Sequence, residues 1–206
     1  MSEIAKSLVG FLAILNPFAL CLYVGGMTGD LRARRFVAIL LSACAISFVV
    51  FSLFALAGEP LLIDGLSIHP GALRAFGGLV FLVVAYKYVM TGYRATEQLR
   101  GSLEGLSSTI ALPFMIGAGT ITQSILIGKR HPGATAVAIL LVGIAVSFVI
   151  VLAFKWVSDR VRGRREAVFE RYVNILARIN GLIIGAISIE MIVFGLRSLC
   201  DMPQGA

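Results

Sequence analysis

Two stretches of the chain set backbone-breaking residues beside polar side chains inside otherwise apolar sequence. The first is AILNPFALCLYVGG, where Asn16-Pro17 is followed by Phe18 and Ala19. The second is FMIGAGTITQS, where Gly117-Ala118-Gly119 is followed by Thr120, Thr122, Gln123 and Ser124. Proline has no N–H and clashes with the turn before it, and the residue before it is pushed out of the α region. Glycine lets the backbone leave a helix without steric cost. Where a helix stops, N–H and C=O groups lose their intrahelical partners. Those groups, with the Asn16 amide and the Thr and Gln side chains, can hydrogen-bond a small polar ligand. The chemistry expected of them is recognition. No His, Cys, Asp and Glu cluster has metal-ligand spacing, and no Ser-His-Asp set lies at one depth. Neither an enzyme nor a bound metal or cofactor is expected.

Charges inside apolar segments are the other chemical candidates. Lys87 and Glu190 each interrupt an apolar run, and an ionisable residue in a membrane span is costly and a functional candidate. Lys87 is near enough to a span end to snorkel. Glu190, with a shorter stem, is a candidate coupling group, and a direct Lys87–Glu190 pair is left open. Arg74 and Arg178 begin the third and sixth apolar segments at opposite faces, as interface anchors or gates. His69 and His131 each open an HPGA tetrapeptide, which fits proline in the first turn of a helix.

These residues must be held by membrane helices. The 206 residues are 58% hydrophobic and 14% charged, with a mean hydropathy of +0.94, whereas soluble domains average about 25% charged residues. Runs free of Asp, Glu, Lys and Arg cover Ser7–Gly29, Phe36–Gly58, Gly105–Gly128 and His131–Phe154. Each exceeds the ~20 residues that cross a ~30 Å hydrocarbon core. Ala75–Arg94 and Ile179–Arg197 add two more. The expectation is an all-α polytopic membrane protein of six spans, a single transmembrane domain over residues 1–206. The first segment, which continues to about Met27 without a small-x-small cleavage site, reads as a span rather than a signal peptide. Cys21, Cys44 and Cys200 read as ordinary small apolar residues.

Loop charge gives the expected orientation, since Lys and Arg favour the cytoplasm. The loops after spans 1, 3 and 5 hold twelve basic residues, the other side five: Lys6, Arg74, Lys129, Arg130 and Arg197. Both termini are therefore expected outside. The same asymmetry accounts for the net charge of +7. The cluster DRVRGRRE suits anionic lipid headgroups, and no stacking aromatics accompany it to suggest nucleic acid.

Val37–Ala55 and Val137–Lys155 match at ten of nineteen positions at an offset of 100, including Ser47/Ser147, Phe48/Phe148 and Phe54/Phe154. The third and sixth spans match less strictly, at an offset of 103 or 104. Repeats of three spans, about residues 7–94 and 107–198, must enter the membrane from opposite sides. This is the inverted-topology plan of many secondary transporters, which bind at the midplane on discontinuous helices. Spans 1 and 4, carrying Asn16-Pro17 and Gly117–Gly119, are the expected broken pair.

FLAILNPFALCLYVGG, PGALRAFGGLVFLVVAYKYV, IALPFMIGAGTITQSILIG and ARINGLIIGAISIEMIVFGL together resemble the first, third, fourth and last spans of the MarC/SnatA family, also described as neutral amino acid transporters. The resemblance runs from about Leu8 to Leu199. It implies a multi-pass protein of the cytoplasmic (inner) membrane that carries small neutral amino acids such as alanine or glycine, often as an exporter. Two departures stand out. Ala118 replaces the proline of the family's Gly-Pro-Gly, and Phe18 follows Asn16-Pro17 where a small residue is usual, which would narrow a cavity. The expected substrate site is Asn16, Pro17, Phe18, Ala19, Gly117, Ala118, Gly119, Thr120, Thr122 and Gln123. A passive channel, a carrier of another small molecule and a structural subunit of a membrane complex are the alternatives. A homo-oligomer is left open.

Overall fold

The computed structural model describes residues 2–25, 33–92, 115–161 and 166–200, with the side chains of 23–25 and 166–170 left aside. All regular structure among them is helical: α1 (Glu3–Leu15), α2 (Pro17–Gly25), α3 (Ala33–Pro60), α4 (Pro70–Thr91), α5 (Ala118–Arg130), α6 (Gly133–Val161) and α7 (Glu166–Cys200). A π-helical turn, Leu61–Gly65, follows α3.

The helix ends follow from local chemistry. Ser2 caps α1, its hydroxyl accepting from Ala5 N at 3.3 Å. At the other end Asn16 turns left-handed (φ 47°) and Pro17 opens α2. His69 caps α4, its Nδ1 accepting from Gly71 N at 3.0 Å, with Pro70 in the first turn. Gly92, at φ +60°, ends that helix, a conformation that costs glycine little.

Five segments among the described residues are long and apolar enough to cross a membrane: Glu3–Leu22, Ala33–Gly65, Pro70–Thr91, Gly133–Val161 and Arg171–Cys200. α5 is too short to cross alone, and the first part of the fourth expected span lies outside the described residues, as do most of the basic loops. Leu, Ile, Val and Phe side chains stand exposed along the outward faces of α3, α4, α6 and α7, among them Val49, Val83, Val149 and Leu182. An apolar exterior on that scale is untenable in water and natural in lipid. The protein is a polytopic, all-helical membrane protein.

Two apolar clusters hold the helices. The larger joins α1, α2, α3, α5 and α6 around Phe11, whose ring meets Phe51 edge-on at 5.4 Å. The smaller joins Ala19 and Leu22 of α2, Ala85 and Tyr88 of α4, and Val173, Ala177 and Ile184 of α7. α4 and α7 pack backbone to backbone: a Cβ on Gly195 would stand 2.7 Å from Ala75 N and Gly71 O. Such close approach through small residues is how membrane helices associate.

The seven buried positions of α3 are Phe36, Leu40, Ala43, Cys44, Ser47, Phe51 and Gly58. Each has a buried counterpart one hundred residues on: Ala136, Leu140, Gly143, Ile144, Ser147, Val151 and Ser158. An apolar groove between α3 and α6 is lined by the same register, Leu41, Cys44, Ala45 and Phe48 facing Leu141, Ile144, Ala145 and Phe148.

The start of α1 lies beside the α5–α6 junction, with Ser7 Oγ 2.9 Å from His131 Nε2. Glu59, at the end of α3, pairs with Lys129 at the end of α5. These contacts define one face of the molecule, called here the N-terminal face. Ser7→Ala should cost about 1 kcal/mol of stability, the worth of one hydrogen bond, measured by thermal unfolding in detergent. An unchanged midpoint would mean that the bond contributes nothing.

Candidate functional site

A cavity of about 370 Å³ opens where the two interruptions meet. Ala13, Ile14, Leu15, Asn16 and Ala19 line it from α1 and α2, and Ile116, Gly117 and Ala118 from the start of α5. Phe76, Val80, Phe81 and Val84 of α4 close one side, and Ile184 and Ile187 of α7 another. Among the described residues of this lining, Asn16 contributes the only side chain that can hydrogen-bond. The remaining polarity must come from backbone.

The α1 end supplies acceptors. In a continuous helix the carbonyl of Ala13 would take the N–H of residue 17, but Pro17 has none. The carbonyl of Leu15 would take the N–H of Ala19, which instead bonds Asn16 Oδ1 at 3.1 Å. Neither carbonyl has a partner among the described residues. Asn16 thus ends one helix and caps the next, and its left-handed φ is one that asparagine tolerates better than most side chains. Its Nδ2 donates to Asn180 Oδ1 of α7 at 3.1 Å.

The α5 end supplies donors. Gly117 is extended (φ −112°, ψ 165°), and the helix begins at Ala118. Thr120 turns its hydroxyl back onto this start, accepting from Gly117 N at 3.0 Å and donating to Met115 O at 2.7 Å. Ala118 N–H is left without a partner among the described residues. Gly77 of α4 lets the two backbones touch, since a Cβ there would stand 2.8 Å from Gly119 N. α1 runs inward from the N-terminal face and α5 runs back to it, each over 13 residues, so the end of α1 and the start of α5 lie at matching depth. One cavity therefore receives a helix C-terminus, partly negative, and a helix N-terminus, partly positive.

Several sequence-chosen residues fall elsewhere. Phe18 packs against the smaller apolar cluster and does not line the cavity; Phe76 and Phe81 are the rings that narrow it. Pro17 acts by withholding its N–H. Gly119 sits behind Gly117, facing Ile14, Phe81 and Met191. Thr122 donates to Ala118 O at 2.8 Å and lies on a second cavity nearer the N-terminal face. Gln123 lies against Gly10 of α1. A helical hydroxyl that donates to the preceding turn has no proton left to give a ligand and keeps only its acceptor capacity.

The charges also separate. Lys87 and Glu190 form no ion pair among the described residues. Tyr88 packs at Gly181 while Gly78 packs at Ser188 and Ile192, so the antiparallel packing leaves Lys87 about 13 Å along the axis from Glu190. Glu190 is exposed on α7. Arg74 lines the second cavity with its guanidinium over the Phe194 ring at 5.0 Å. Arg178 is exposed at the opposite face and donates to Met90 O, at the end of α4, at 3.5 Å.

Asn180 is the functional candidate that sequence reasoning passed over. It is 8% exposed, bonded to Asn16, and its own Nδ2 has no partner among the described residues. The signal was a lone amide in the apolar run ARINGLIIG.

A UPF0056 membrane protein of Pyrococcus horikoshii is 25% identical over 208 residues, covering all of both chains. One of Aquifex aeolicus is 24% identical, covering 94% of this chain and 92% of its own. The UPF0056 inner membrane protein YhgN of Escherichia coli is 24% identical, with 96% and 98% covered. No solved structure matches significantly. The MarC family, described as integral membrane proteins, matches residues 1–200. With that match spanning nearly every residue, and a helical architecture apolar on its outside, the chain belongs to the MarC family of integral membrane proteins.

Proposed function

We propose that the protein is a secondary transporter of small neutral amino acids in the cytoplasmic membrane, working by alternating access around the cavity between Asn16 and Gly117. The observation that carries this reading is the pairing of opposite helix ends at one cavity. An ammonium group would take the open carbonyls of Ala13 and Leu15, and a carboxylate the start of α5 at Ala118, as oppositely charged ends of a zwitterion require. The remaining lining is aliphatic and aromatic, suited to a small apolar side chain. The volume of about 370 Å³ is near the lower end of the roughly 300–1,000 Å³ range of ligand pockets.

Depth supports the same reading. From the charge-free boundary at Ser7 to Leu15, and from Gly128 back to Ala118, each helix runs about 13–17 Å. That is close to half of a ~30 Å hydrocarbon core. The shared burial register of α3 and α6 supports two inverted repeats, and rocking of one against the other would expose the cavity alternately. The bacterial relative named as an inner membrane protein supports the location.

The test is counterflow in proteoliposomes loaded with unlabelled alanine. Saturable uptake of labelled alanine is expected, and Gly117→Leu should abolish it. A Cβ at Gly117 meets nothing nearer than Phe81 at 3.9 Å, so this variant should fold and fill the cavity. Uptake that never saturates would make the protein a channel. Unimpaired counterflow in the variant would move the path elsewhere.

A further inference from the structure

A second cavity, of about 140 Å³, lies toward the N-terminal face between the ends of α3, α4, α5 and α7. Its polar lining includes Arg74, Lys129, His69, Glu59 and Thr122. Lys129 and Glu59 neutralise one another as an ion pair. Arg74 is half-buried, stacked on Phe194, and has no hydrogen-bond or ion-pair partner among the described residues. Glu190 and Arg130 are the other charges close enough to act on it, and they are of opposite sign. His69 Nδ1 accepts from Gly71 N, so a neutral ring carries its proton on Nε2 and is a donor there. Thr122 spends its proton on Ala118 O.

The lining charges thus sum to one positive, with a planar guanidinium left to be satisfied. Arg presents a rigid fork that matches a carboxylate bidentately. We propose that this cavity is a second binding site, taking the carboxylate of a small monocarboxylate, with Arg74 as its principal ligand and Lys129 and His69 as auxiliary donors. Its position gives it a role. Along α4, residues 69–74 line this cavity and 76–84 the deeper one; along α5, Thr122, Leu126 and Lys129 line this cavity and Gly117 and Ala118 the deeper one. The two lie in series on one seam, about 6 Å apart between Ala118 and Thr122. Resting on the transport reading, the outer site is where the solute's carboxylate is captured before it reaches the paired helix ends.

The experiment is saturation binding of labelled acetate to the full-length protein in neutral-lipid nanodiscs, which needs no transport. Wild type is expected to bind saturably, and Arg74→Gln to bind at least about tenfold more weakly, as loss of a charge-assisted hydrogen bond implies. Arg74→Lys should keep part of the affinity, separating charge from fold. Gly117→Leu, which fills the deeper cavity and removes any acetate held at the start of α5, should leave the Arg74-dependent part of the binding in place. Loss of binding in Gly117→Leu but not in Arg74→Gln would overturn the assignment, as would absence of saturable binding in folded wild type. Displacement of acetate by inorganic phosphate as readily as by alanine would also overturn it, because the site would then hold anions without regard to kind. Failure of counterflow with acetate binding intact would count against the transport reading alone.

Discussion

Asn16→Ala is expected to abolish transport and to destabilise the fold by about 3 kcal/mol or more. The change removes three things at once. A left-handed backbone at φ 47° costs alanine roughly 1–2 kcal/mol. Loss of the cap on Ala19 N costs about 1 kcal/mol. The carbonyl of Asn180, buried and deprived of its donor, adds about 1–3 kcal/mol. Asn16→Gly separates these contributions, because glycine takes the backbone conformation freely while losing both hydrogen bonds. The glycine variant should therefore be about 1 kcal/mol more stable than the alanine variant, reversing their order in an ordinary helix. Chemical denaturation in mixed micelles measures the difference. Alanine proving the more stable would mean that residue 16 does not hold the left-handed turn.

Gly128→Ala should be the most damaging single methyl in the described structure. Its Cβ would fall 1.8 Å from Ala55 O and 2.7 Å from Ala55 C. Both obstacles are backbone, so no side-chain rotation relieves them, and α3 and α5 must part. Overpacking typically costs about 1–3 kcal/mol, and separating two helices should bring the loss to the upper end or beyond. Gly117→Ala, where the added methyl makes only an ordinary contact with Phe81 at 3.9 Å, should be close to neutral. Thermal unfolding of the pair checks both, and equal midpoints would contradict this close approach of the helices.

The sequence made the architecture legible because its strongest signals are those that lipid demands. Charge-free runs of twenty residues have few readings other than a span, and the α3 and α6 match at an offset of 100 reappears as a common set of buried positions. The turn at Asn16-Pro17 was legible because proline has few uses within an apolar run, and the start of α5 after Gly117 because glycine permits it. The individual contacts were not. Thr120 and Thr122 looked like ligand-facing polarity, yet a threonine in a helix can bond its own preceding turn, and composition does not say which way it turns. Phe18 was legible as bulk but not as direction; one rotation about α2 puts it in the apolar cluster and leaves Phe81, distant in sequence, at the cavity. Asn180 and Asn16 are 164 residues apart, and nothing in either segment names the other. Arg74 read as an anchor at the start of a helix, and only the convergence of four helix ends gives it a cavity.

The depth shared by the two interrupted helix ends has an electrical meaning. If the cavity lies half-way through the hydrocarbon, a charge moved into it from either side crosses about half of the membrane field. At 100 mV this amounts to roughly 1.2 kcal/mol per elementary charge, about half the value for a full crossing. A zwitterion carries no net charge and loads the site without regard to voltage. Its anionic and cationic analogues are pushed in opposite directions, by a factor of about seven each at that potential. Discrimination among solutes of similar size would then change when the membrane is depolarised, with no change in the protein.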